Sequence, residues 1–142
     1  MSRNTERVPV PGHPVEVEVA CLPVLVVLKI VAWLDRPHER TKDLGDLGRV
    51  LAFALDDLDA RRWEAPLAGE KFDEQSSVFV GNEVRAIAHA RHLERIHEFL
   101  RRLSDESRPW AGMMARLAGY GGDDPEGKTL RNLLAFERAL HS

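Results

Sequence analysis

The chain has 142 residues, 44% hydrophobic and 30% charged, the balance of a single globular domain with a sizeable core. Its formal net charge of −3 argues against a general nucleic-acid binder but leaves room for a local basic patch. The single cysteine, Cys21, excludes an intrachain disulfide and fits a reducing cytoplasm; it reads as a small buried residue, since no histidine partner is suggested nearby.

Taken in order, residues 1–7 are polar and contain no apolar stretch of signal-peptide type. Val8-Pro9-Val10 and Val15-Glu16-Val17-Glu18-Val19 flank the turn-forming Pro11-Gly12-His13-Pro14, a pattern that predicts a β-hairpin over 1–21. Val15, Val17 and Val19 would face a core, with Glu16 and Glu18 on the solvated face; metal ligation by those glutamates is the alternative. A lone hairpin is marginal, so it should pack on the next helix or add to a sheet from another chain, a second copy included. The run 15–34 is the one membrane candidate, but Glu16, Glu18 and Lys29 interrupt it, so the protein reads as soluble and cytoplasmic.

The run Leu22–Leu47 carries the functional signal. Pro23 suits a first helical turn and Pro37 cannot continue a helix, which bounds a helix from Leu22 to Asp35 or Arg36. Nearly all of it is apolar except Lys29, and a desolvated ammonium costs several kcal/mol unless something offsets it. Lys29 and Arg36 are seven residues apart, about 20° around an ideal helix, so they form one cationic stripe. Thr41 reads as the N-cap of a second helix with Asp43 in its first turn. There Lys42, Asp43 and Asp46 share a side, while Leu44, Leu47, Leu51 and Leu55 take another. Two helices joined by a tight turn would bring Lys29 and Arg36 near Asp43 and Asp46. Two readings stay open: an ion cluster that fixes a helix crossing, or cations aimed at an anionic ligand such as a triphosphate.

The succession Leu-Lys-Ile-Val-Ala-Trp, Asp-Arg and Lys-Asp-Leu-Gly-Asp-Leu, with the later Phe72–Val84 stretch FDEQSSVFVGNEV, resembles the C-terminal half of bacterial nucleotidyltransferases of the abortive-infection toxin group, the toxin side of type IV toxin–antitoxin systems. The resemblance covers roughly residues 15–103. It implies that Lys29, Arg36 and Lys42 contact nucleotide phosphates and that Asp43 and Asp46 brace the pocket. It also implies Mg²⁺ and a nucleoside triphosphate as cofactors of an active form. Such transferases carry a Gly-Ser turn and an Asp-x-Asp pair near the N-terminus, which hold the metals. No Gly-Ser occurs in this chain, and its only Asp-x-Asp, Asp57-Leu58-Asp59, lies downstream and follows no such turn. The implied partners are therefore a companion chain supplying the catalytic half, or an antitoxin, with tRNA as a further candidate.

The second helix should end near Leu58, amid Asp56, Asp57 and Asp59, which oppose the helix dipole there. Arg61, Arg62 and Trp63 would suit RNA phosphates and bases, or else Trp63 covers a core edge while the arginines pair with the preceding aspartates. Asp73 is placed as an N-cap for a helix through Gly81 to about His89, the glycine allowing a close helix approach. Leu93, Ile96, Phe99, Leu100 and Leu103 mark an amphipathic helix. His89, His92 and His97 suggest a metal, yet His97 lies about 160° from His89 around that axis, so solvent-exposed histidines are the expectation. Pro109 starts a short helix that Gly119 stops. Gly127-Lys128-Thr129 resembles the end of a phosphate loop but follows no hydrophobic strand. Asp124 and Pro125 open a last helix with Leu130, Leu133, Leu134, Phe136 and Leu140 to bury.

The expected fold is α+β, mainly α: the hairpin, a transferase-like helical core over 22–104 and a helical extension over 105–142, with five or six helices in one domain. The two functional expectations are a nucleotidyltransferase-like domain, not catalytic alone, and a noncatalytic protein-interaction module.

Overall fold

A computed structural model describes residues 21–142 in full and, before them, the backbone of 5–9 and 16–20. Six α-helices make the architecture: α1 (Leu22–Asp35), α2 (Thr41–Phe53), α3 (Gln75–Ile87), α4 (Ala90–Ser104), α5 (Trp110–Ala118) and α6 (Pro125–Leu140). Short 3-10 turns at Ala60–Trp63 and Phe72–Glu74 punctuate the long α2–α3 connection.

The boundaries follow local chemistry. Pro23 sits in the first turn of α1, and the backbone leaves helical geometry at Arg36, just before Pro37. Helix α2 begins at Thr41, so the N-cap position is Arg40 and no side chain caps it. It stops at Phe53, short of the expected Leu58, as three aspartates beyond it disfavour a helix C-terminus. Two serines of α3 meet the backbone there: the Ser77 hydroxyl donates to the terminal carbonyl Leu51 O at 2.6 Å, while Ser76 Oγ accepts from Leu55 N, just past the helix end, at 3.1 Å. Helix α3 starts at Gln75 after the 3-10 turn, so Asp73 is not its cap, and it ends at Ile87 before His89. Gly119, at φ +76°, closes α5 in the left-handed conformation that favours glycine. Asp124 Oδ1 accepts from Gly127 N at 3.0 Å and caps α6, with Pro125 in its first turn.

Trp33 of α1 is fully buried at the centre, edge-on to Phe99 of α4 and Trp110 of α5 at 5.6 and 5.2 Å between ring centres. The α4 stripe of Ile96, Phe99, Leu100 and Leu103 enters the same core as Met114 of α5 and Leu133, Phe136 and Leu140 of α6, whereas Leu134 faces solvent. Two crossings depend on missing side chains. A Cβ at Gly81 of α3 would lie 2.6 Å from Ala139 Cβ and 2.7 Å from Phe136 O on α6. At Gly48 of α2 it would lie 2.8 Å from both Ala118 Cβ and Met114 Cγ on α5.

The α+β class and its N-terminal β-hairpin layer are overturned: the fold is all-α. The extended backbone of Thr5–Pro9 lies antiparallel to Glu16–Ala20, Val8 opposite Val17, as an isolated pair of short segments and not as a sheet layer of the domain. The extensive packing of every helix is with other helices or the 3-10 turns. Alternation of Val and Glu specifies extended backbone, but two short strands offer too little surface to form a layer. No helix among the described residues is long and apolar enough to cross a membrane. The glutamates Glu16 and Glu18, read as solvated or metal-ligating, lie outside the residues whose side chains are described.

Candidate functional site

The α1–α2 crossing answers what an ammonium is doing on an apolar helix. Lys29 lies on the α1 face that meets the first two turns of α2, where Asp43 and Asp46, three apart, project together. Its Nζ donates to Asp46 Oδ2 at 2.8 Å and to Asp43 Oδ1 at 3.2 Å, with 29% of the side chain still exposed. The other oxygens are also taken. Arg40 Nε donates to Asp43 Oδ2 at 2.7 Å, and the Arg49 guanidinium pairs with Asp46 Oδ1 while also donating to Leu117 O of α5 at 2.8 Å. All four carboxylate oxygens of the two aspartates thus accept from cations, in a closed network tying α1, α2 and α5.

The electrostatics follow. The Asp46 hydrogen bond, assisted by Asp43 and opposed by partial burial, raises the Lys29 ammonium above its ordinary 10.5. Reciprocally, the Lys29 hydrogen bond, with that of Arg49, holds the Asp46 carboxyl below its ordinary 3.8. Both groups are thereby kept ionised across the neutral range. Three cations face two carboxylates, so the network keeps one residual positive charge.

Of the predicted site residues, Lys29, Asp43 and Asp46 come together. Arg36 does not join them: α1 ends at Asp35, the stripe breaks there, and Arg36, 72% exposed, pairs with Glu39 at 3.5 Å. Lys42 is exposed and makes no ion pair among the described residues. Arg40 and Arg49 take the places expected of these two. The signal for them was available in the i,i+3 spacings Arg40–Asp43 and Asp46–Arg49. A divalent metal is disfavoured at this pair of carboxylates, since the positive charges of Lys29, Arg40 and Arg49 already surround both and would repel it. No group of three or more His, Cys, Asp or Glu side chains able to hold a metal occurs among the described residues.

The other sequence candidates fall apart as a site. His89 N donates to His92 Nδ1 at 3.3 Å across the break before α4, whereas His97 turns to His141 after α6, 3.0 Å between Nε2 atoms. Asp59 of the Asp-x-Asp pair is taken by Arg61, whose hydrogen bonds and charge lower its carboxyl to about 2. Arg62 is buried and donates to the carbonyl oxygens of Leu55, Asp56 and Phe72 and to Gln75 Oε1, at 2.6 to 3.1 Å, so it organises the α2–α3 connection and presents nothing to RNA. Trp63 is 68% exposed and covers no core edge. Cys21 is buried, and Lys128 lies over the rings of Phe53 and Tyr120. Comparison with protein families, with curated proteins and with solved structures finds no match for this chain.

Proposed function

We propose that this chain is a noncatalytic helical interaction module, in which the Lys29 cluster braces the fold and partner binding uses surface elsewhere. The observation that carries this reading is the occupancy of all four oxygens of Asp43 and Asp46 by Lys29, Arg40 and Arg49. Each of these cations already faces a carboxylate, so an incoming phosphate would meet two aspartates at the same place and compete with their charge-assisted bonds. Large apolar side chains left in solvent, Leu28 of α1, Phe53 at the end of α2 and Leu58 after it among them, support an interaction role.

A second reading has one observation in its favour. The residual positive charge of the network, with the exposed Lys42 next to Asp43 in the chain, suits an anion, as a nucleotidyltransferase-like domain of toxin–antitoxin type would require. In that reading the metal-binding carboxylates belong to a companion chain. Calorimetric titration with each nucleoside triphosphate and Mg²⁺, on wild type and on Lys29→Ala and Arg36→Ala, decides between the two. The interaction-module reading expects no heat of binding at millimolar ligand and a lowered melting temperature for Lys29→Ala alone. Triphosphate binding abolished by both substitutions in folded protein would overturn it.

A further inference from the structure

Beyond the end of α2 the surface changes character. A cleft of about 520 Å³ is lined by Phe53, Leu55, Asp56, Asp57 and Leu58. A narrower one of about 100 Å³ shares Phe53, Leu55 and Asp57 with it and continues to Phe72, Asp73 and Lys128. The rim is apolar and open, Leu58 being 92% and Phe53 57% exposed. A leucine so placed adds nothing to the core and is available to cover another apolar side chain.

The aromatic walls of these clefts already hold cations. Lys128 Nζ sits 5.4 Å from the centre of the Phe53 ring and 4.9 Å from that of Tyr120, and Arg62 Cζ sits 4.1 Å from that of Phe72. The two cations are held differently. Arg62 is locked by backbone carbonyl groups and is part of the fold. Lys128 accepts no such constraint: among the described residues its ammonium has no hydrogen-bond or ion-pair partner, only the two ring faces. It is a replaceable occupant.

The carboxylates set the sign of what replaces it. Among the described residues Asp57 and Asp73 have no ion-pair partner, and the Asp56 carboxylate accepts only from Leu58 N, at 3.0 Å. With Arg62 and Lys128 also in the lining, the three acidic groups leave the joined clefts one net negative charge, and more once Lys128 swings away, which favours a cation. We infer that these joined clefts dock a segment of a protein partner that presents a lysine or arginine next to an apolar side chain, the cation displacing Lys128 over Phe53 toward Asp57 and the apolar group covering Leu58. This inference rests on the interaction-module reading and names its surface and the chemistry of its partner.

The test is a titration of the full chain, followed by amide NMR shifts, with the peptide acetyl-Gly-Leu-Lys-Leu-Arg-Gly-amide and with its counterpart carrying glutamate at both basic positions. The basic peptide should saturably shift Phe53, Asp57, Leu58 and Lys128, and Leu58→Ser combined with Asp57→Asn should weaken it at least about tenfold. Both substituted side chains are exposed, so an unchanged melting temperature keeps the comparison clean. No saturable shift at millimolar peptide, equal shifts with the acidic peptide, shifts spread over the whole surface, or indifference to the double substitution would each overturn the inference. Failure here without nucleotide binding removes this surface alone, whereas nucleotide binding in the calorimetry removes the interaction-module reading itself.

Discussion

Lys29 illustrates how one charged residue is accommodated on an otherwise apolar helix. The ammonium stays partly in water and donates to two carboxylates, each of which is completed by an arginine. Such a part-exposed network stabilises modestly, so Lys29→Ala should cost about 1–2 kcal/mol in urea unfolding, more than an exposed pair and less than a buried one. Its pH dependence has two limbs. Asp46 titrates below 3.8 in the folded protein, so its contribution is complete above that value and lost as the pH falls through the lowered pKa. Lys29 titrates above 10.5, so its contribution is complete below that value and lost as the pH rises through the raised pKa. Urea midpoints measured against pH should therefore be flat between these limits as far as this pair is concerned. Asp46→Asn should lower the plateau and flatten the acid limb; an unchanged acid limb would contradict the pairing.

At the scale of elements, packing between helices is decided as much by absent side chains as by present ones. Alanine is the better helix former, by about 1 kcal/mol over glycine, and at Gly112 of α5 its methyl would meet only ordinary contacts, the nearest being Glu126 Oε2 at 3.7 Å. Gly112→Ala should thus stabilise by about 0.5–1 kcal/mol. At Gly81 the same substitution drives a methyl into the α6 backbone at Phe136 O, 2.7 Å away, and should destabilise by about 1–3 kcal/mol despite the gain in propensity. Opposite shifts in thermal midpoint for the two variants are the expected result. The close approach at Gly81 was readable from the small residues around it in α3. The one at Gly48 was not, because it sits in an α2 stretch read for its charges and leucines, with no run of small residues to mark its meeting with Met114 and Ala118 of α5.

For the molecule as a whole, one apolar core runs from α1 through α6, with Trp33 at its centre between Phe99 and Trp110. Trp33→Ala would empty the space where three helices meet and should cost about 3–5 kcal/mol, enough to threaten a domain of this size. Trp33→Phe, which keeps an aromatic ring and removes the indole N–H that has no partner among the described residues, should cost distinctly less. Chemical denaturation of both variants checks this ordering; equal losses would mean that the indole N–H, and not the filled volume, matters there.

By itself the sequence pointed to five or six helices and to the limits of α1, α5 and the start of α6, because proline placement, the Asp124 cap and the Gly119 stop act over a few neighbouring residues; the cap and end of α2 and both ends of α3 it misplaced. It also brought Lys29 near Asp43 and Asp46, since one short loop joins the helices that carry them, but left open whether they pair with it or serve a ligand. Only the tertiary structure decided that Arg40 and Arg49, and not Arg36 and Lys42, complete that cluster, because the choice depends on where α1 unwinds and how α2 lies against α5. It likewise decided that the valine–glutamate alternation builds no sheet layer, and that Phe53, Leu58, Phe72 and Lys128 share one surface. Residues so far apart in the chain become neighbours only through the packing of α2, the α2–α3 connection and α6, which no local pattern encodes.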